Sequence, residues 1–450
     1  MPPSLRRELT YASATAIVVA NMIGTGIFTT TGFLAGDLGR PALVLGIWVA
    51  GAVVALAGCL CYAELGINFP RSGGEYVYLR EAWGPAWGFL SGWISFFAGF
   101  SAPIAAAALA FSEYMSYFYP PLSVSSSPGM SLGIFRLHTG YGQLLAIAII
   151  TVFAAINILG LRLAANLQNL LTALKLGVLA TFLVLAFTAG KGSLQHFSQS
   201  ALRTSTHSLA AQFAVSLIFV MFAYSGWNAA TYVAEEMKAP ERTLPRALVS
   251  GTLLVAGFYC ALNAAFLYAL PLEKMKGVVR IGAAAADALF GPKGGAFFSA
   301  VMSIGLLSCV SAMVIVGPRV YYAMAQDGCF FRGASRLHAR WQTPVQAILY
   351  QWVATAVMIL TGTFESLIYY IGFALVLFAA MATAGMVRMR HRAGWKRLPA
   401  VGWGYPLIPA VFITASAWML CYTAVLRPKE FSLVLLTMLA GGLAYRWIRR

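Results

Sequence analysis

Three features of this 450-residue chain could do chemistry in an apolar setting. The first is Gly24-Thr25-Gly26-Ile27-Phe28, in the middle of an apolar stretch from about Thr10 to Ala35. The second is Phe222-Ala223-Tyr224-Ser225-Gly226-Trp227-Asn228, again inside a long apolar run. The third is Lys175, well inside another. A helix that crosses a bilayer needs roughly 20 apolar residues, and each central glycine costs it roughly 1 kcal/mol relative to alanine. A broken helix in lipid also leaves N–H and C=O groups with no water to pair with. Such a break is tolerated where it lines a cavity, and a ligand there can take up the freed groups. The second half-helix then offers N–H groups and a positive dipole end, suited to an anion, while the first offers carbonyls, suited to a cation. A zwitterion needs both in one low-dielectric pocket. Glycine at 24 and 26 lets backbone and ligand approach where a Cβ would keep them apart. An intramembrane lysine costs roughly 2.5–3.5 kcal/mol at a helix centre and is a functional candidate by default.

The elements that must position these residues are membrane helices. Sixty per cent hydrophobic and 10% charged residues exclude a soluble globular chain. The apolar runs recur along the whole sequence, giving one all-α polytopic domain over residues 1–450 with no soluble domain or linker. Twelve spans are expected, at about 10–35, 42–67, 85–115, 141–160, 165–189, 209–234, 245–270, 296–325, 344–362, 364–387, 404–425 and 430–447. The two interrupted runs are spans one and six. Breaks at matching places in two five-span halves point to inverted repeats with a midplane site. The first repeat would cover 10–189 and the second 209–387, with the helices of 404–447 outside both. The polar insertions 120–140, 190–208 and 271–293 fall outside the cell on this reading, and 327–343 inside.

The net charge of +17 does not imply nucleic acid, because the basic residues flank spans and form no separate domain. Of 31 lysines and arginines, 19 fall in segments on the N-terminal side and 10 on the other. This bias places both termini in the cytoplasm. Arg388, Arg390, Arg392, Lys396 and Arg397 would form a juxtamembrane anchor against anionic membrane lipid. The six cysteines lie in or beside spans and read as small apolar packing residues, with no metal-type spacing beyond Cys59-x-Cys61. No metal or cofactor is expected. His138, His196, His207, His338 and His391 fall in loops or at span ends, and no acid cluster lies at midspan. A membrane-embedded enzyme is therefore disfavoured, since it needs a nucleophile–base pair or metal ligands at depth. Glu64, Glu235, Glu236 and Glu113 read as interface acids, with Arg71, Arg80, Arg242 and Arg246 as available partners.

The motifs resemble a known family. Gly24-Thr25-Gly26-Ile27-Phe28, Cys61-Tyr62-Ala63-Glu64-Leu65-Gly66 and Ser72-Gly73-Gly74-Glu75-Tyr76 are similar to the opening of the amino acid–polyamine–organocation (APC) superfamily. Phe222 to Asn228 followed by Glu235-Glu236-Met237 narrows the likeness to the L-type amino acid transporter (LAT) branch. Arg319 to Gly328, with Thr343-Pro344-Val345 after it, resembles the family's span eight and following loop. The resemblance implies a 5+5 inverted repeat plus two helices, in which spans 1, 2, 6 and 7 rock against 3, 4, 8 and 9. It implies that the backbone N–H groups of Thr25, Gly26 and Ile27 take a substrate carboxylate, with the Thr25 hydroxyl assisting. Carbonyls of Met22, Ile23, Phe222 and Ala223 would take the ammonium, and Gly24 and Ser225 would also border the bound substrate. Phe222 resembles an aromatic gate, and Trp227 and Asn228 would support the second break. Lys175 would occupy the place of sodium in sodium-coupled cousins, donating to span-one carbonyls such as that of Gly24 and to span eight. Relatives often carry glycine where this chain has Ser225, so the pocket should favour small to medium neutral amino acids.

The implied activity is sodium-independent amino acid transport across the cell membrane, as an exchanger. Proton-coupled symport of amino acids or polyamines is the alternative, and a non-transporting sensor is a third reading. A cationic substrate would want an acid facing the pocket, and neither broken region carries one. Heterodimeric relatives hold a cysteine between spans three and four for an ancillary glycoprotein. Tyr117–Gly140 contains none, so no covalently linked heavy chain is expected.

Overall fold

The computed structural model describes residues 9–448 except 72, 125–128, 133–134 and 342. Span one begins where Thr10 caps the helix Tyr11–Met22 by accepting from the Ser13 amide, and ends at Gly24, whose extended backbone cannot continue it. A second helix, Thr25–Leu38, leaves at 43° to the first. Left-handed Gly39 (φ 67°) terminates it, and Pro41 sits in the first turn of span two, Pro41–Asn68. The first half of span six, Leu209–Ala223, stops in a turn around Gly226 (φ 93°). Beyond that turn the chain forms a 3-10 segment, Ala229–Glu236, that kinks at Val233, and left-handed Ala239 then starts span seven, Pro240–Ala269.

Among the described residues, nine helices are long and apolar enough to cross a membrane, and the bent pair in span one makes a tenth. The spans expected at 209–234 and 344–362 are represented by shorter apolar helices, Leu209–Ala223 and Val345–Thr361. Only half of span six is α-helical, because the glycine turn hands the chain to a 3-10 segment. Several short elements lie outside the expected spans. A short helix Glu75–Trp83 joins spans two and three, a helix Ile281–Phe290 lies in the insertion before span eight, and Gly129–Leu132 pairs antiparallel with Phe135–His138.

Span three carries a local irregularity beside the site. Its helix Pro85–Ile94 widens into a π segment, Ser95–Ser101, before resuming at Ala102. Pro103 lacks an N–H and its ring would meet the carbonyl one turn back. The wider turn accommodates it, and the Ser101 hydroxyl donates to the Phe96 carbonyl at 2.7 Å.

Of the basic run after span ten, Arg390 alone is turned inward, in contrast to the expected lipid anchor, while Arg388, Arg392, Lys396 and Arg397 stay exposed. Arg390 is buried and pairs with Glu64 at 3.0 Å while stacking on Tyr405. Arg388 lies over Trp83, Arg392 donates to the Glu81 carbonyl, and Lys396 pairs with Glu241. Glu64 also accepts from the Trp395 indole and the Leu398 amide. The buried carboxylate at the end of span two takes the nearest cation and amide, which belong to a segment distant in sequence. None of the arginines expected as its partner fills that role: Arg80 pairs with Glu81. Glu113 caps Ser123 and Val124, and the side chain of Glu236 lies outside the described residues.

Candidate functional site

The two broken spans interlock. An added Cβ on Gly26 would lie 2.4 Å from the Ala223 Cα, and one on Gly226 would lie 2.9 Å from the Asn21 carbonyl carbon. Glycine at both places is therefore demanded by backbone-on-backbone packing. Gly24 differs, since its nearest neighbours would be the Met22 oxygen at 3.7 Å and the Cys309 sulfur at 3.8 Å, ordinary contacts. Its role is to interrupt the helix.

The freed carbonyls are taken up by side chains from neighbouring spans. The Tyr259 hydroxyl, in span seven, lies 2.6 Å from the Met22 carbonyl and 2.9 Å from that of Ala223, so one group ties both breaks together. Lys175, buried in span five, donates to the Ile23 carbonyl at 2.6 Å and the Ala20 carbonyl at 3.2 Å. The acceptor expected at Gly24 is displaced to its neighbour Ile23, because the carbonyls of the last α-turn are the ones that point out of the broken end. The lysine stem runs beside Gly305 of span eight, and Cys309 from the same span reaches the Ile23 carbonyl at 3.9 Å. The Phe222 carbonyl accepts from the Ser225 amide within its own turn. In this conformation the Ile23 and Phe222 carbonyls thus each accept a hydrogen bond, and those of Met22 and Ala223 share the one Tyr259 hydroxyl.

A cavity of about 220 Å³ lies beside the breaks, on the side toward which the first half of span one and the 3-10 half of span six extend. Ile17 and Asn21 line it from span one, and Ser225, Gly226, Trp227 and Asn228 line it from span six. Ser95 and Gly99 face it from the π segment of span three, and Pro103 from the α-helix just beyond. Met22, Ile23, Gly24, Thr25, Gly26, Ile27, Phe222 and Ala223 are not part of its wall. Phe222 is buried in the core instead. The N–H end of the second half-helix of span one is buried against Ala223. Trp227 packs edge-on against Tyr62 at 4.7 Å and against Phe412. Asn228 donates to Glu75 at 3.2 Å. A more polar recess lies at the opposite ends of spans one and six, where Asp37 accepts from Ser216 at 2.7 Å.

Three residues of this site were not legible as functional in the sequence. Tyr259 reads as one aromatic among many in an apolar helix. Asn21 lies one turn before the break with no motif around it. Glu75 belongs to Ser72-Gly73-Gly74-Glu75-Tyr76, but a loop carboxylate gives no sign that it will be buried. Gly74, at φ 49°, supplies the turn that carries Glu75 under the cavity. There Glu75 accepts from the Tyr62 hydroxyl at 2.7 Å, and burial pushes its carboxyl up to about 7. Neither broken region carries an acid, as the sequence shows, but the connection between spans two and three brings one to the cavity.

Among the described residues, no group of His, Cys, Asp or Glu side chains is arranged to hold a metal ion.

The family model described as amino acid permease matches residues 9–442. The serine/threonine exchanger SteT of Bacillus subtilis is 30% identical over 99% of this chain and 98% of its own length. The b(0,+)-type amino acid transporter 1 of Mus musculus is 30% identical over 98% of this chain and 88% of its own length. The large neutral amino acids transporter small subunit 2 of Homo sapiens is 28% identical over 98% of this chain and 80% of its own. The chain is a multi-pass membrane protein of the amino acid permease family, an amino acid transporter of the APC superfamily with LAT-type relatives.

Proposed function

We propose that the chain exchanges small to medium neutral amino acids across the cell membrane by alternating access, without sodium. The observation that carries the sodium-independent reading is the Lys175 ammonium, held 2.6 Å from the Ile23 carbonyl beside the broken end of span one. Carbonyls freed by a helix break are what a coupling cation would use, and here the Lys175 side chain stands on them. Substrate is held between the breaks, its carboxylate on the amides of Thr25, Gly26 and Ile27 and its ammonium on the Met22, Ile23, Phe222 and Ala223 carbonyls. Tyr259 keeps those carbonyls in register in the empty protein, and Phe222 closes over the substrate. Trp227 and Asn228 brace the turn of span six. The relative named as a serine/threonine exchanger supports both exchange and a small substrate, and Ser225 in the cavity wall takes space from larger side chains.

The halves 10–189 and 209–387 act as inverted repeats, with 404–447 outside them and both termini in the cytoplasm. The cavity, on the side of the N-terminal half-helix, then belongs to an inward-facing conformation. No covalently tethered partner subunit takes part, since Tyr117–Gly140 offers no cysteine. The test is uptake of a labelled amino acid panel into proteoliposomes, with and without internal amino acid, sodium and a pH gradient. Stimulation by internal serine or alanine alone supports the proposal. A requirement for sodium, or for acid outside, refutes it in favour of cation coupling.

A further inference from the structure

One ionisable group in the cavity is not absorbed by this mechanism. Glu75 is 7% exposed and lines the cavity floor. One of its oxygens accepts both the Tyr62 hydroxyl and the Asn228 amide, at 2.7 and 3.2 Å. Both donors are neutral, and among the described residues no lysine, arginine or histidine pairs with this carboxyl. The titratable groups that face it are Tyr62 from span two, Tyr78 from its own helix and Tyr232 from span six. A buried carboxylate with no cation beside it has lost its hydration without an ionic replacement, so the site is incomplete when empty. In the same conformation the midplane carbonyls of Met22, Ile23 and Ala223 already receive Tyr259 and Lys175. Among the residues that line the cavity, Glu75 is then the one acidic side chain that an arriving or departing cation meets.

We propose that Glu75, oriented by Tyr62 and Asn228, is a second ammonium subsite, occupied by the substrate between the helix breaks and the face onto which this cavity lies. The inference rests on the exchange reading above. Substrate moving out trades the backbone carbonyls for the carboxylate, so its ammonium is never left unpaired in the low-dielectric passage. Substrate entering from that face meets the carboxylate first. Only the ionised form binds an ammonium well, so affinity from the cavity face rises with pH through neutrality. Affinity from the other face does not.

The test is sided exchange of labelled serine in proteoliposomes of known orientation, comparing the wild type with Glu75→Gln, Glu75→Asp and Tyr62→Phe. Loss of one charge-assisted contact is expected to raise the cavity-side KM of Glu75→Gln about tenfold. Its other-side KM stays unchanged and its pH dependence is flattened, and Glu75→Asp restores part of the affinity. The Tyr62 hydroxyl holds the carboxyl down, so Tyr62→Phe should move the wild-type pH midpoint upward. Equal cavity-side KM and equal pH dependence in wild type and Glu75→Gln overturn the proposal. If Glu75→Gln fails to insert, an unmoved midpoint in Tyr62→Phe overturns it equally. Wild-type protein that moves no amino acid would instead defeat the exchange reading itself.

Discussion

Replacing Lys175 with methionine separates charge from packing. The stem lies beside Gly305 and the residue is 2% exposed, so methionine refills the space while the ammonium is lost. Two charge-assisted hydrogen bonds, at 2.6 and 3.2 Å, disappear, and the Ile23 and Ala20 carbonyls lose that donor. Hydrogen bonds to charged groups contribute roughly 1.5–3 kcal/mol each. Removing a buried ammonium relieves a desolvation cost of several kcal/mol, so overall stability should change little. The geometry of the broken end should suffer instead. A net loss of about 2 kcal/mol in holding that geometry corresponds to roughly a 30-fold fall in exchange. The assay is counterflow of labelled serine in proteoliposomes, normalised to incorporated protein, with thermal unfolding measured on the same preparations. Exchange within twofold of wild type would refute the reasoning. So would a fall in exchange matched by an equal loss of folded protein, which would make Lys175 structural.

Gly26→Ala should abolish exchange, because its Cβ would lie 2.4 Å from the Ala223 Cα; Gly24→Ala, with 3.7 Å of clearance, should keep a measurable rate in the same counterflow assay. Tyr259→Phe removes one hydroxyl shared by the Met22 and Ala223 carbonyls, and a loss of about 1–2 kcal/mol should slow exchange about tenfold with little change in thermal stability. Glu64→Gln leaves Arg390 buried without its counter-charge, so it should destabilise by roughly 3–5 kcal/mol, read as a lower unfolding temperature in detergent.

How much of this was legible in the sequence differs between elements. The break in span one stood out because Gly24 and Gly26 interrupt an apolar run with no other reason to contain them. Span six was harder: Gly226 marked the turn, but nothing in Ala229–Glu236 distinguishes a 3-10 segment from a helix. Lys175 was visible as an isolated charge in hydrocarbon, and its partners lie within one turn of the expected carbonyl. Phe222 and the amides of Thr25–Ile27 were placed against a cavity that they do not line in this conformation. Their packing comes from Gly26 meeting Ala223, a contact between residues about two hundred positions apart that no local pattern encodes. Glu75 carries no sign of its burial in the sequence, and Arg390 departs from the expected lipid anchor, for the same reason. A charge next to a span is exposed by default, and only the folded chain brings Tyr62, Asn228 and Glu64 to them.

The account stands or falls on where the amino acid sits, and a structure of the protein with bound serine tests that most directly. It should show the carboxylate on the amides of Thr25, Gly26 and Ile27, with Gly26 drawn away from Ala223 to admit it. Serine bound elsewhere, with the two broken spans still locked against each other, would contradict the account.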